Sequence, residues 1–220
     1  MLKVIIFDSG YGGEFFADRL EEALPILEVI RVIDWRHAEL YLTNPRIARE
    51  SAIEALHPYI GKVDLIIFAN HLLSLTSLKY FRRKYPNQHF LGLKLKKPDT
   101  FIKRDTLILT TKAVAKTIGY RGFIFHLKRK ARTMTPDGWL TKIDDGELTQ
   151  SEISETITSF IRRKHINPQE IILGCSQFDD IIHDLKKLFG RRIRIYSSFD
   201  DTIRETSKLL RIRGGTHKIK

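Results

Sequence analysis

Short runs of Ile, Leu, Val and Phe alternate with helical stretches along this chain, and that alternation constrains the fold more than any other feature. Strands are expected at residues 4–7, 29–33, 65–69, 90–95, 107–111, 122–126, 171–174 and 193–196. Continuous apolar runs of this length suit strands covered on both faces. Helices fit between most of them. Residues 13–24 carry Phe16, Leu20 and Leu24 at helical spacing. Asn44-Pro45 supplies an N-cap and a first-turn proline. Thr149 and Glu152 form a capping box ahead of Ile153, Ile157 and Ile161. Residues 178–189 and 199–211 complete the series. Strand–helix alternation implies an α/β fold with mostly parallel sheets.

The 220 residues are enough for one large domain or two small ones, with ample apolar side chains for a core. One Cys excludes an intramolecular disulfide and an all-Cys metal cage. No apolar run reaches membrane-spanning length, and the first residues lack a signal-peptide cleavage pattern. A cytoplasmic protein without membrane association is expected. The net charge of +12 favours an anionic partner. Residues 79–104 hold nine basic residues against one acid, residues 121–132 hold five and no acid, and the tail from Arg211 is basic. Nucleic acid is therefore one candidate partner, although no RNA-recognition, KH or zinc-finger pattern is present.

A weak internal echo divides the chain. Asp64-Leu-Ile-Ile-Phe-Ala-Asn-His71 parallels Glu170-Ile-Ile-Leu-Gly-Cys-Ser-Gln177 at an offset of 106 residues, close to half the length. In each, an acid precedes an apolar strand, then a small residue, then polar residues. Two similar α/β lobes follow as the expectation. Residues 1–97 with 199–220 form the first, and 98–198 the second. Their boundary falls in the basic stretch around Pro98.

In open α/β sheets, ligands bind at the carboxyl ends of strands. Three strand ends carry polar residues. Asp8-Ser9-Gly10-Tyr11-Gly12-Gly13 offers tight turns and backbone N–H groups suited to a carboxylate or phosphate. It is not a dinucleotide fingerprint, because Phe15 occupies the last glycine position, and no P-loop lysine follows. Ala69-Asn70-His71 places an imidazole at a helix start. Gly174-Cys175-Ser176-Gln177 places a thiol at a strand end and helix N-terminus, where thiolate is favoured. Each also has a structural reading, as a capped turn, a hydrogen-bonded histidine and a buried cysteine.

Together these segments resemble the aspartate/glutamate racemase superfamily, and glutamate racemases most closely. The family's Asp-Ser-Gly-x-Gly-Gly opening corresponds to Asp8–Gly13. Its Ala-Cys-Asn-Thr segment corresponds to Phe68-Ala69-Asn70-His71, and its Gly-Cys-Thr-His segment to Gly174-Cys175-Ser176-Gln177. Leu109-Thr110-Thr111-Lys112-Ala113 and residues 136–148 add weaker, collinear similarity. The resemblance implies two pseudo-symmetric α/β lobes with the site in the cleft between them. It implies racemisation of an acidic amino acid without pyridoxal phosphate or metal, by two cysteines on opposite faces of the α-carbon. It also admits a homodimer, with no interface fixed.

The chain departs from that pattern at its chemical centre. Ala69 stands at the first Cys position and cannot carry a proton, His71 stands at a Thr position, and Ser176-Gln177 replace Thr-His. Tyr41 is what remains of a Pro-Tyr-Gly substrate loop near residues 39–42, and Lys97-Pro98-Asp99 replace a Glu-Pro-Gly turn. The resemblance then assigns Cys175 and Asp8 to catalysis, and His71, two residues after the vacant Cys position and of a type suited to proton transfer near neutral pH, is a candidate for the other face. It assigns Ser9, Asn70, Thr111, Ser176 and Tyr41 to binding a small carboxylate or amino acid, with no cofactor. Three readings stay open. The first is a glutamate racemase-like protein whose two-Cys racemisation is lost or altered, so that the chain is not settled as an enzyme. The second is an active single-Cys racemase, or a one-base decarboxylase or isomerase, using Cys175 with His71. The third is a non-catalytic protein that binds nucleic acid or another anion through its basic surface.

Overall fold

The computed structural model describes residues 1–38, 41, 44–95, 105–127 and 131–212. The Pro98 segment, most of the expected loop around Tyr41, and the basic tail beyond Ile212 lie outside the described residues. The chain divides into two compact units. One is Met1–Lys94 together with the chain from Ser198, and the other is Leu95–Ser197.

The first unit is built on a four-stranded parallel sheet. Its strands are β1 (Leu2–Asp8), β2 (Leu27–Ile33), β3 (Leu65–Phe68) and β4 (Phe90–Gly92), in the order β2-β1-β3-β4. Its helices are α1 (Tyr11–Ala23), α2 (Pro45–Leu56), α3 (His71–Thr76) and α4 (Leu78–Lys84). The period-two alternation of a strand sorts β1 between two cores. Ile5 and Phe7 pack with Ala48, Ala52 and Leu56 of α2 and Phe81 of α4. Val4 and Ile6 face the opposite way, onto Phe16 and Leu20 of α1. That double burial is why β1 reads as an unbroken apolar run. Asn44 caps α2, its Oδ1 accepting from Arg46 N and Ile47 N, with Pro45 at the first position.

The second unit repeats the plan. Its elements run β5 (Thr106–Thr110), α5 (Lys112–Ala115), α6 (Ile118–Leu127), β6 (Ala131–Met134), α7 (Trp139–Asp144), α8 (Gln150–Lys164), β7 (Glu170–Gly174), α9 (Ile182–Phe189) and β8 (Arg194–Tyr196). All strand pairs are parallel and the order is β6-β5-β7-β8. The same order in both sheets makes β3 equivalent to β7, the two strands of the internal echo. The Thr149–Glu152 capping box is formed at the start of α8.

The chain then returns to the first unit as α10 (Phe199–Leu209). Phe199 and Ile203 join the Val4/Ile6 core, Phe199 meeting Phe16 edge-on at 5.0 Å between ring centroids. Arg19 and Asp200 add an ion pair at 2.7 Å.

Three local expectations are corrected. Residues 122–126 are helical, within α6, and the edge strand of that sheet is Ala131–Met134. Gly-Phe-Ile-Phe-His reads as a buried strand because apolar residues dominate it without a helical period. Ala-Arg-Thr-Met hides a strand, because an edge position tolerates Arg132 and Thr133. The helix expected over 178–189 is broken into a 3-10 turn at Ser176–Asp179 and α9. The strand expected over 90–95 ends at Gly92. Among the described residues no helix is long and apolar enough to cross a membrane.

Candidate functional site

The polar residues at the end of the first sheet are organised around Asp8. This carboxylate is 2% exposed, and its Oδ1 accepts from Ser9 N at 2.7 Å and from Asn70 Nδ2 at 2.8 Å. Asn70 Nδ2 also lies 3.4 Å from Ser9 Oγ. The other end of the same amide caps α3, with Oδ1 accepting from Leu73 N at 3.0 Å. Asn70 is thereby fixed by the helix it starts. Gly13 lets α1 pass this close. A Cβ there would stand 2.5 Å from Asp8 Cβ and 2.8 Å from Ile33 Cδ1, so no side chain fits without displacement.

His71 follows Asn70 but belongs to the interior. It is 3% exposed, and its Nε2 lies 3.1 Å from Ser198 Oγ, at the point where the chain re-enters the first unit. Its Nδ1 has no hydrogen-bond partner among the described residues. Burial lowers its pKa to about 3, so the imidazole is neutral at physiological pH. Ala69, at the end of β3, is fully buried in the Val4/Ile6 core.

Tyr41 lies in a separate cluster beyond β2. Its hydroxyl donates to Asp34 Oδ2 at 3.1 Å, and burial pushes the phenol well above its ordinary range. Asp34 also accepts from Ser51 Oγ and lies 3.0 Å from His37 Nδ1. Ser51 Oγ in turn lies 3.0 Å from the same His37 nitrogen. Asp34 N donates to the Asp8 carbonyl at 2.9 Å, so the two acids end neighbouring strands. Sequence reasoning missed Asp34, His37 and Ser51. The available signal was an acid closing an apolar strand, the same signal that marked Asp8.

In the second sheet, Thr111 caps α5, its Oγ1 accepting from Val114 N at 3.2 Å. Cys175 follows β7, is 8% exposed, and precedes the 3-10 turn rather than an α-helix. A Cβ on Gly174 would meet Thr110 Oγ1 at 2.7 Å, so glycine is what allows β7 to lie against Thr110. Cys175 Sγ lies 3.8 Å from Gln177 Oε1, and Gln177 Nε2 donates to Asp144 Oδ1. An amide oxygen is an acceptor, which suits a protonated thiol. Burial is the main cause that raises the pKa of Asp144, opposed by its bond from Gln177. Ser176 is buried beside Cys175. Gln177 and Asp144 were not singled out as site residues, since neither type at that spacing announces a pair.

The first unit thus brings Asp8, Ser9 and Asn70 together, with His71 turned to Ser198 and Tyr41 held by Asp34. The second places Cys175, Ser176 and Thr111 at the ends of neighbouring strands β7 and β5. Among the described residues no group of three or more His, Cys, Asp or Glu is placed to hold a metal ion.

No protein-family model matches the chain. Among curated proteins it is similar to the glutamate racemase of Sulfurovum sp. (strain NBC37-1), with 20% identity over 210 residues, covering 90% of this chain and 79% of the relative. It is also similar to the glutamate racemase of Campylobacter jejuni, with 22% identity over 228 residues, covering 100% and 90%. Among solved structures, Escherichia coli glutamate racemase, in complex with L-glutamate and the activator UDP-MurNAc-Ala, superposes with a TM-score of 0.85. That match has 18% identity and covers 98% of this chain and 84% of the other. Aspartate racemase of Picrophilus torridus superposes with a TM-score of 0.64 at 16% identity, covering 98% and 96%.

Proposed function

This chain belongs to the aspartate/glutamate racemase superfamily, and we propose on that premise that it binds a small amino acid or carboxylate without two-Cys racemisation. The observation that carries this reading is the Asp8–Ser9–Asn70 network. Three polar side chains from two adjacent strand ends are held together in a nearly dry environment, where hydrogen bonds to a ligand gain strength. Asp8 takes the ligand's ammonium, and Ser9 with Asn70 its carboxylate. Thr111 and Ser176 are binding candidates of the second unit taken by itself, and in the first unit Tyr41 acts through Asp34. The L-glutamate bound by the Escherichia coli protein makes an acidic amino acid the first ligand to try. Two-base inversion needs a proton carrier on each face of the α-carbon. Cys175 is the one thiol in the sequence, and Ala69 supplies none.

Titration calorimetry with L- and D-glutamate and L- and D-aspartate tests the binding. At least one of the four binds, and Ser9→Ala or Asn70→Ser weakens it about tenfold, the loss of one or two charge-assisted hydrogen bonds. Unchanged affinity in both variants contradicts the assignment.

A second reading is favoured by the Cys175–Gln177–Asp144 arrangement. It holds a protonated thiol ready for one-face chemistry, such as decarboxylation followed by protonation. His71 has no step in it. A base whose conjugate acid has a pKa of about 3 is too weak to abstract an α-proton at neutral pH. Turnover that survives Cys175→Ala contradicts this reading.

A further inference from the structure

The outward face of α6 (Ile118–Leu127) is unlike the rest of the surface. Ile118 is 84% exposed and Phe125 is 79% exposed. Seven residues apart, they lie on one face of the helix, about 10 Å from each other along its axis. Gly122 falls between them, and a Cβ built there meets nothing within 4 Å among the described residues. The opposite face is the buried one, through Tyr120, Phe123 and Leu127. Two large apolar side chains on one helix face are normally covered, and these two are open to solvent. Glycine inside a helix costs about 1 kcal/mol relative to alanine. Here neither a positive φ nor a close neighbour among the described residues requires it.

We propose that Ile118, Gly122 and Phe125 form a docking face for an amphipathic helix of a partner protein, one that carries acidic residues beside its apolar stripe. The notch at Gly122 admits an apolar side chain of the partner between the two knobs. Arg121 and His126 are exposed on the two flanks of the stripe, and the helix itself contains no acidic residue. Charge complementarity therefore selects an acidic partner. It also disfavours a second copy. An antiparallel two-fold contact centred on Gly122 sets Arg121 beside the Arg121 of the other copy. A lipid surface would use the two knobs but has no use for the notch. This inference is independent of the ligand reading above.

The test uses a synthetic helical peptide with Leu at i, i+4 and i+7 flanked by Glu, and the same peptide with Lys for Glu, by fluorescence anisotropy on the full chain. The Glu peptide binds and the Lys peptide does not. Phe125→Ser and Gly122→Leu each weaken binding by about tenfold, as expected for centrally placed interface residues. Arg121→Glu exchanges the preference between the peptides. All three positions are at the surface, and matching urea unfolding curves verify that the variants fold. Failure of the Glu peptide to bind, or equal binding by Phe125→Ser, overturns the proposal. So does a dimer in sedimentation that Phe125→Ser abolishes, which assigns the face to a second copy. Phe125-dependent association with phosphatidylglycerol vesicles, without peptide binding, overturns it in favour of a lipid surface.

Discussion

Asn70 Nδ2 donates to Asp8 Oδ1 across 2.8 Å, joining the residue that starts α3 to the last residue of β1. The contact couples a helix cap to a buried carboxylate, so the two roles of Asn70 can be separated by substitution. Asn70→Ser keeps a capping oxygen and loses the bond to Asp8. Its stability falls by about 1–3 kcal/mol, the loss of one hydrogen bond to a buried carboxylate, while ligand affinity falls about tenfold. Asn70→Asp also keeps the cap but sets a second carboxylate against Asp8. It is the less stable of the two variants at pH 7, and acidification narrows the gap. Urea unfolding at two pH values measures both effects.

Gly13 is constrained by a neighbour and not by its own backbone. Gly13→Ala drives a methyl group into Asp8 Cβ and Ile33 Cδ1. The expected loss is about 1–3 kcal/mol, the range for overpacking a tight contact, with ligand affinity falling as Asp8 is displaced. Gly122→Ala is the internal contrast. Among the described residues nothing lies near a Cβ built there, so helix propensity raises stability by about 0.5–1 kcal/mol.

The buried His71 makes stability depend on pH in a definite direction. Its folded pKa of about 3 lies below the ordinary 6.5 of the unfolded chain. Between those values the unfolded state binds a proton that the folded state does not. Stability therefore falls as pH drops from about 6.5 toward 3, at up to about 1.4 kcal/mol per pH unit from this group. His71→Gln has no such proton to bind. The difference between its urea-unfolding free energy and that of the wild type shrinks on acidification by this slope. A constant difference would show that His71 is not held neutral.

Trp35 offers an optical report on the first sheet's end. It is half-exposed and meets Tyr11, two residues after Ser9, edge-on at 4.7 Å, whereas Trp139 is buried against Phe178. In Trp139→Phe, emission comes from Trp35 alone. Ligand binding at Asp8 and Ser9 changes that emission saturably, with the same midpoint as calorimetry. Ser9→Ala shifts both midpoints together.

The fold was legible in the sequence wherever strands are buried on both faces. β1, β3, β5 and β7 are the central strands, and each appears as an apolar run because successive residues are buried on both faces. The edge strand β6 was illegible, since an edge position admits the polar Arg132 and Thr133. The face of α6 that should be polar is apolar, which mimicked a strand. Of the candidate residues, Asp8, Ser9 and Asn70 are hydrogen-bonded to one another at two neighbouring strand ends. The engagement of His71 with Ser198 depends on a contact across 127 residues of sequence. Periodicity is local and carries no record of such a pair. The Asp34–His37–Tyr41–Ser51 cluster was hidden for the same reason, apart from Tyr41.

The most direct measurement of the central claim is proton NMR and chiral chromatography of L- and D-glutamate and L- and D-aspartate incubated with the protein in D₂O, with Cys175→Ala as the control. The bound amino acid is expected to keep its configuration, with any α-deuteration retained on the starting enantiomer and lost in Cys175→Ala. Accumulation of the opposite enantiomer at a rate that depends on Cys175 would contradict it, because a second base would then be serving the face that Ala69 leaves without one.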